Sequence, residues 1–365
     1  MKRSGSPGIR FARGDVAIAL GMLCYLFVAW LLCRHFGHQE DFVPLMYAGP
    51  FYLSYVLYTL TILAILKLRQ SRGRTGERLL GIPVTLKPRE LLVRLGSALP
   101  ILLATPFFLA AFTAMKNLLN DMIPFTWDPT LESADLWLHF GTAPWRWLPL
   151  EIWPVTRLIE FVYALWGVVL VAVPFVVCLR VENDANRTRL LISYPLAMVL
   201  LGNIAAGMFM SAGPFWFHHQ SGIADPYAPL FAYLNHGDPD RSFSAVLFQE
   251  YLWLAYQKNI TELGSAISAF PSIHVTIATL FLFYAWSFGA AARIFALLFL
   301  LFILSGSVLL GWHYAVDGYA GMAGAAAIYW AVGRILSLFS QRQRHPSAAS
   351  LEPDDMQVKV DTQAD

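Results

Sequence analysis

The chain has 365 residues, of which 57% are hydrophobic, 15% aromatic and only 14% charged, and its mean hydropathy is +0.53. That is too apolar for an ordinary soluble domain and makes a bilayer the expected solvent. The net charge of +2, with no basic block interleaved with aromatics, argues against a nucleic-acid partner.

Lys2, Arg3, Arg10 and Arg13 precede the first apolar run, as in a signal peptide, but the run at 16–32 is long and lacks a small-residue cleavage pattern. It reads as a retained span. Further spans are predicted near 47–66, 97–115, 158–179, 190–211, 272–288, 292–310 and 314–339, for an all-α integral membrane fold of about eight transmembrane helices. Two N-terminal spans and a basic loop occupy 1–96, a six-helix catalytic membrane domain 97–339, and a polar tail expected to be disordered 340–365. Cys24, Cys33 and Cys178 have no paired spacing, so neither disulfides nor a zinc site is expected.

The loop after the second span carries Lys67, Arg69, Arg72, Arg74, Arg78, Lys87, Arg89 and Arg94, and the positive-inside rule makes it cytoplasmic. Arg180, Arg187, Arg189, Arg293, Arg334, Arg342 and Arg344 then fall on the same side, with both termini. The acidic segments, including Asp128, Glu132, Asp135 and Asp225, face outward. Two of their stretches, 131–148 and 243–256, are amphipathic and rich in aromatics; they either roof a site or lie on headgroups.

His274 and His313 stand at the openings of two apolar runs, where ionisable groups are costly and mark functional sites. Their separation of 39 positions holds two helices of roughly 18 residues, each about 27 Å long. Such a hairpin returns both histidines to the outer face. Asp317 follows His313 by four residues and so shares its helical face, which suits either an oriented, activated nucleophile or a pair that merely closes a helix start. Pro271 and Ser272 precede His274 and open a helix N-terminus able to receive an anion, where His274 would either hydrogen-bond a phosphoryl oxygen or protonate a leaving alcohol as general acid. Gly213-Pro214, at the outer end of the fifth span, either breaks a helix or walls the site. The adjacent His218 and His219 lack a spaced third ligand, so no metal site is assigned.

Phe270-Pro271-Ser272-Ile273-His274 and His313-Tyr314-Ala315-Val316-Asp317 resemble the second and third signatures of the type 2 phosphatidic acid phosphatase superfamily. Within it, the chain is most similar to the inositol phosphorylceramide synthase-like (inositolphosphotransferase) branch, a likeness that Gly213-Pro214 and Trp127-Asp128-Pro129 with Asp135, Gly141 and Pro144-Trp145 extend. The resemblance implies a six-helix core and cofactor-free, metal-independent catalysis. It implies a phosphohistidine at His313 oriented by Asp317, acid catalysis by His274, and substrate contacts from Pro271, Ser272, Gly213, Pro214 and Tyr314. The substrate it implies is a lipid phosphate or phospholipid, with an alcohol as possible acceptor. Two cations of the superfamily pattern are missing: the Ser-Arg places of the third signature are Gly306 and Ser307, and no first signature ending in Arg-Pro appears near the fifth span. Arg241 or Lys258 either replaces them or is simply solvated.

The expected activity is phosphotransfer through a histidine, with hydrolysis by a lipid phosphatase as the alternative and a non-enzymatic lipid transporter as the rival from another class. The excess of arginine over lysine suggests a bacterial inner-membrane protein with its site on the periplasmic face.

Overall fold

In hydrocarbon every backbone polar group must be satisfied within the protein, which favours helices whose hydrogen bonds are all internal. A computed structural model describes residues 9–79, 81–148, 152–180, 185–217, 225–237, 245–258, 260–262 and 264–344. Among the described residues seven helices are long and apolar enough to cross a membrane. The fold is an all-α membrane bundle.

α1 (Arg13–Phe36) ends where Gly37 adopts φ 84°, and α2 (Ala48–Ser71) leads to a two-stranded antiparallel hairpin, β1 (Arg78–Leu79) with β2 (Ile82–Pro83). α3 (Pro88–Met122) starts on a proline, with Glu90 accepting from the Lys87 N–H; its 35 residues exceed the bilayer thickness. α4 (Asp128–Leu138) lies outside the apolar runs. The expected fourth span is broken at Leu165 into α5 (Trp153–Ala164) and α6 (Trp166–Cys178). α7 (Ala185–Val199) continues through a π-helical turn, Leu200–Ala205, to Met208. Two outer helices follow, α8 (Ala228–Gly237) and α9 (Ala245–Gln257), the first of which sequence periodicity does not reveal. The histidine hairpin is α10 (Ile273–Ala285) and α11 (Ala290–Leu309), and α12 (Ala315–Arg344) closes the bundle.

α10 departs from expectation. Its 13 residues rise only about 20 Å, short of a full span. Nearly all of it is buried, because α7, α11 and α12 surround it, so it meets protein where an outer helix meets lipid. Small residues permit this approach: a Cβ on Gly321 of α12 would sit 2.7 Å from the Ser272 carbonyl. Residues 340–344 remain helical, beyond the expected start of the polar tail; 345–365, His218, His219 and Arg241 lie outside the described residues.

α1 is no loose appendage, for it packs along α3 and inserts Asp15 against Arg187 through two hydrogen bonds of 2.7 Å. Both side chains are buried, and the guanidinium also donates to the Val177 and Cys178 carbonyls. Arg94 donates to the Leu179 carbonyl and Arg180 to the Tyr284 hydroxyl, so the basic residues gather at one end of the bundle. α4 and the two histidines occupy the other. Truncating one member of a buried ion pair strands its partner, so Asp15→Ala should destabilise the fold by about 3–5 kcal/mol. Thermal unfolding of the detergent-solubilised protein checks this, the expected result being a lowered midpoint with turnover retained at low temperature.

Candidate functional site

The start of α10 is fixed by its own polar atoms. Ser272 caps the helix, its hydroxyl accepting from the Val275 N–H, while its own N–H donates to the Asp317 carbonyl at 3.0 Å. His274 in the first turn is held by aromatic faces. Its ring stacks on Tyr163 at 5.1 Å between centroids and lies 4.1 Å from Trp166, whose indole N–H donates to the His274 carbonyl. The break between α5 and α6 brings both aromatics to this level.

His313 sits in the bend between α11 and α12, where the N–H groups of Trp312 and His313 both donate to the Ser307 carbonyl. The hydrogen bond expected from Asp317 to the ring is not the shortest one made. Nδ1 lies 2.9 Å from the Ala269 carbonyl and 3.4 Å from Asp317 Oδ2, which itself accepts from the Tyr314 N–H. A carbonyl can only accept, so Nδ1 carries the proton and Nε2 is left with its lone pair. Burial pushes the His313 pKa down to about 3, against the Ala269 hydrogen bond and with the positive charge of Lys116. The ring is therefore neutral near pH 7. Ser211 holds the Ala269 carbonyl in place by accepting from the Ala269 and Phe270 N–H groups. The two imidazoles meet with centroids 5.7 Å apart.

Two outer carboxylates pin this bend. Asp128 accepts from the N–H groups of Ala212 and Gly213 and from the Tyr314 hydroxyl, at 2.8–3.1 Å. Asp135 accepts from the Ala315 and Val316 N–H groups at the positive end of α12. Burial raises both carboxyl pKa values and these donors oppose the rise. The two acids are seven positions apart on α4 and hence on one face; the sequence marked them by outward charge and by the family likeness, not by the donors they hold. Gly213 has φ 86°, and a Cβ there would approach the Trp312 carbonyl to 2.8 Å. It fits where no other residue would.

Both histidines open onto a cavity of about 1180 Å³ that Lys116 also lines. Lys116 is the one lysine or arginine among the described lining residues, and no ion pair engages it there; its ammonium lies 5.7 Å from the Phe112 ring. Sequence reading missed it, because a single lysine near the end of a span looks like an interface anchor. Lys258 is exposed and does not line the cavity. Nor do Pro271, Ser272, Gly213, Pro214 and Tyr314, which support the wall from behind. Gly306 has a role of its own: a Cβ there would come within 2.7 Å of Tyr163, so the superfamily's usual serine would displace the ring that stacks on His274.

Among the described residues, the group whose spacing could hold a metal ion is His38, Asp41 and Asp121, whose candidate ligand atoms lie within 4.8 Å of one another. None of the three lines the cavity. The model of the PAP2 superfamily matches residues 130–331, more than half of the chain, and takes in both histidines and Asp317. The chain belongs to the PAP2 superfamily. Members of the PAP2 superfamily are phosphatases and phosphotransferases, which supports an enzyme acting on lipid phosphate. No curated protein and no solved structure matches the chain.

Asp128→Ala leaves two buried N–H groups and a hydroxyl unpaired, each costing about 1–3 kcal/mol; a fall in thermal midpoint together with a loss of turnover is expected. Between pH 3 and 6.5 the unfolded chain binds a proton at His313 that the native chain does not, so this histidine makes stability rise with pH across that window. His313→Gln should flatten the rise, as read from thermal midpoints over that range.

Proposed function

We propose that the protein is an integral-membrane phosphotransfer enzyme of the inositolphosphotransferase-like kind, moving a lipid-linked phosphoryl group through a phosphohistidine at His313. The observation that carries this reading is the pair of imidazoles in one cavity wall, with the His313 proton committed to Ala269 and its other nitrogen unshared. Nε2 attacks phosphorus, the bond from phosphorus to the leaving oxygen breaks, and His274 gives that oxygen its proton. In the second step an acceptor hydroxyl attacks the phosphohistidine. The phosphorus–nitrogen bond breaks and the hydroxyl proton returns to His274. Asp317, at 3.4 Å from Nδ1, favours the positive ring that exists between the steps. Lys116 meets the phosphate charge in place of the arginine replaced by Ser307 and the cation of the absent first signature. Pro271, Ser272, Gly213, Pro214 and Tyr314 act as positioning residues.

Water entering the same cavity would give hydrolysis, the second reading, since both outcomes use one set of groups and differ in the acceptor. In this reading the basic end of the bundle faces the cytoplasm together with the termini and the site faces the outer side, as the positive-inside rule favours. Residues 97–339 form the catalytic unit in this reading.

Purified protein incubated with lipid phosphates in chelator, with and without acceptor alcohols, separates transfer from hydrolysis by the product formed. His313→Ala should lower turnover by about 10³-fold or more and abolish acid-labile phosphate on the protein. His274→Ala should cost about 10²–10⁴-fold, and more with poor leaving groups. Unchanged turnover in His313→Ala overturns the mechanism.

A further inference from the structure

The cavity is far larger than a phosphate and two imidazoles require. Lys116, Thr113, Ser268 and the histidines give it a polar end, Phe51, Leu109, Leu170, Val171 and Met198 form an apolar stretch, and Glu160 and Glu250 also line it. Leu109 lies seven residues before Lys116 on α3, about 10 Å deeper at the helical rise. The cavity therefore extends along the helices from the phosphate end into the level of the hydrocarbon.

One wall comes from outside the residues 130–331 that match the superfamily: Pro50, Phe51 and Ser54 of α2. α2 is tied to its neighbours above and below this stretch. The Tyr47 hydroxyl lies 2.8 Å from Thr113 Oγ1 and accepts from the Gly264 N–H, and eleven positions on, the Tyr58 hydroxyl donates to the Val168 carbonyl. Between these ties the Tyr52 hydroxyl donates to the Leu103 carbonyl of α3 and Tyr55 stacks on Phe175 of α6, while Pro50, Phe51 and Ser54 line the cavity. Opposite, on α6, Gly167 lines the cavity, and a Cβ built on it meets nothing within 4 Å.

From this we infer that the space between α2, α3 and α6 seats the hydrocarbon tail of the lipid whose phosphate lies at Lys116 and His313, and that α2 and Gly167 set which tails fit. The proposal rests on the phosphotransfer reading for its head and on the cavity for its tail. An apolar trough continuous with a cationic end matches an amphiphile bearing an anionic head. The open space at Gly167 is room for the ligand.

Gly167→Leu and Gly167→Trp test it. Leucine suits a helix better than glycine, and the added atoms enter open space, so the variants should fold. With long-chain phosphatidic acid as probe, KM should rise about tenfold or more in the tryptophan variant and less in the leucine variant, while kcat/KM for para-nitrophenyl phosphate stays within about twofold. Retention of phosphatidic acid, followed by native mass spectrometry, should fall in the same order without reference to turnover. Unchanged KM and retention, an equal loss for both substrates, or a rise confined to the KM of an added acceptor alcohol would each overturn the tail seat. Lipid retention that falls in this order across the variants, with wild-type protein turning over neither ester, would leave the seat standing and remove the phosphotransfer reading.

Discussion

The Asp128 carboxylate is where two remote stretches of chain are joined. It takes the Ala212 and Gly213 N–H groups from the end of the fifth span and the Tyr314 hydroxyl from the bend before the last. Remove that junction and neither the Gly213 contact with the Trp312 carbonyl nor the placing of Ala269 by Ser211 has a fixed frame. A buried carboxylate of this kind is costly unless each oxygen is engaged, and here N–H and O–H donors supply the engagement. Asp135 repeats the device one step along, at the start of α12. The outer helix α4 thus holds the bend that carries His313 through backbone groups and the Tyr314 hydroxyl.

Hydrophobic patterning made the bundle legible, because a span must be apolar along its whole length whatever it packs against. It failed where protein replaces lipid. α10 is short because it is enclosed, and α5 breaks from α6 at Leu165 where Trp166 and Tyr163 turn towards His274; neither event changes hydropathy. His274, His313 and Asp317 were visible as ionisable residues at helix mouths. The partner of the His313 ring was not, since it is the backbone carbonyl of Ala269, and a carbonyl has no letter in a sequence. Lys116 escaped for a related reason: its meaning comes from the cavity it faces and not from its neighbours in the chain.

The N-terminal helices look from sequence like an addition to a six-helix core. The structure ties them in at both levels: Asp15 with Arg187 at the basic end, and Tyr25 with Asn203 within the bundle, where the hydroxyl donates to the amide oxygen at 2.6 Å. Such long-range pairs fix the orientation of a helix whose outward face is otherwise uniformly apolar and could rotate in lipid with little penalty.

The π-helical turn at Leu200–Ala205 carries a consequence for chain length. One residue more than a regular helix needs turns everything after it by about 100°. That rotation presents Ser211 to residues 269 and 270, and through them sets the imidazole of His313. A chain one residue shorter in this segment would close into an unbroken α-helix and aim Ser211 elsewhere. At this place in the fold, the number of residues constrains the chemistry as firmly as their identity does.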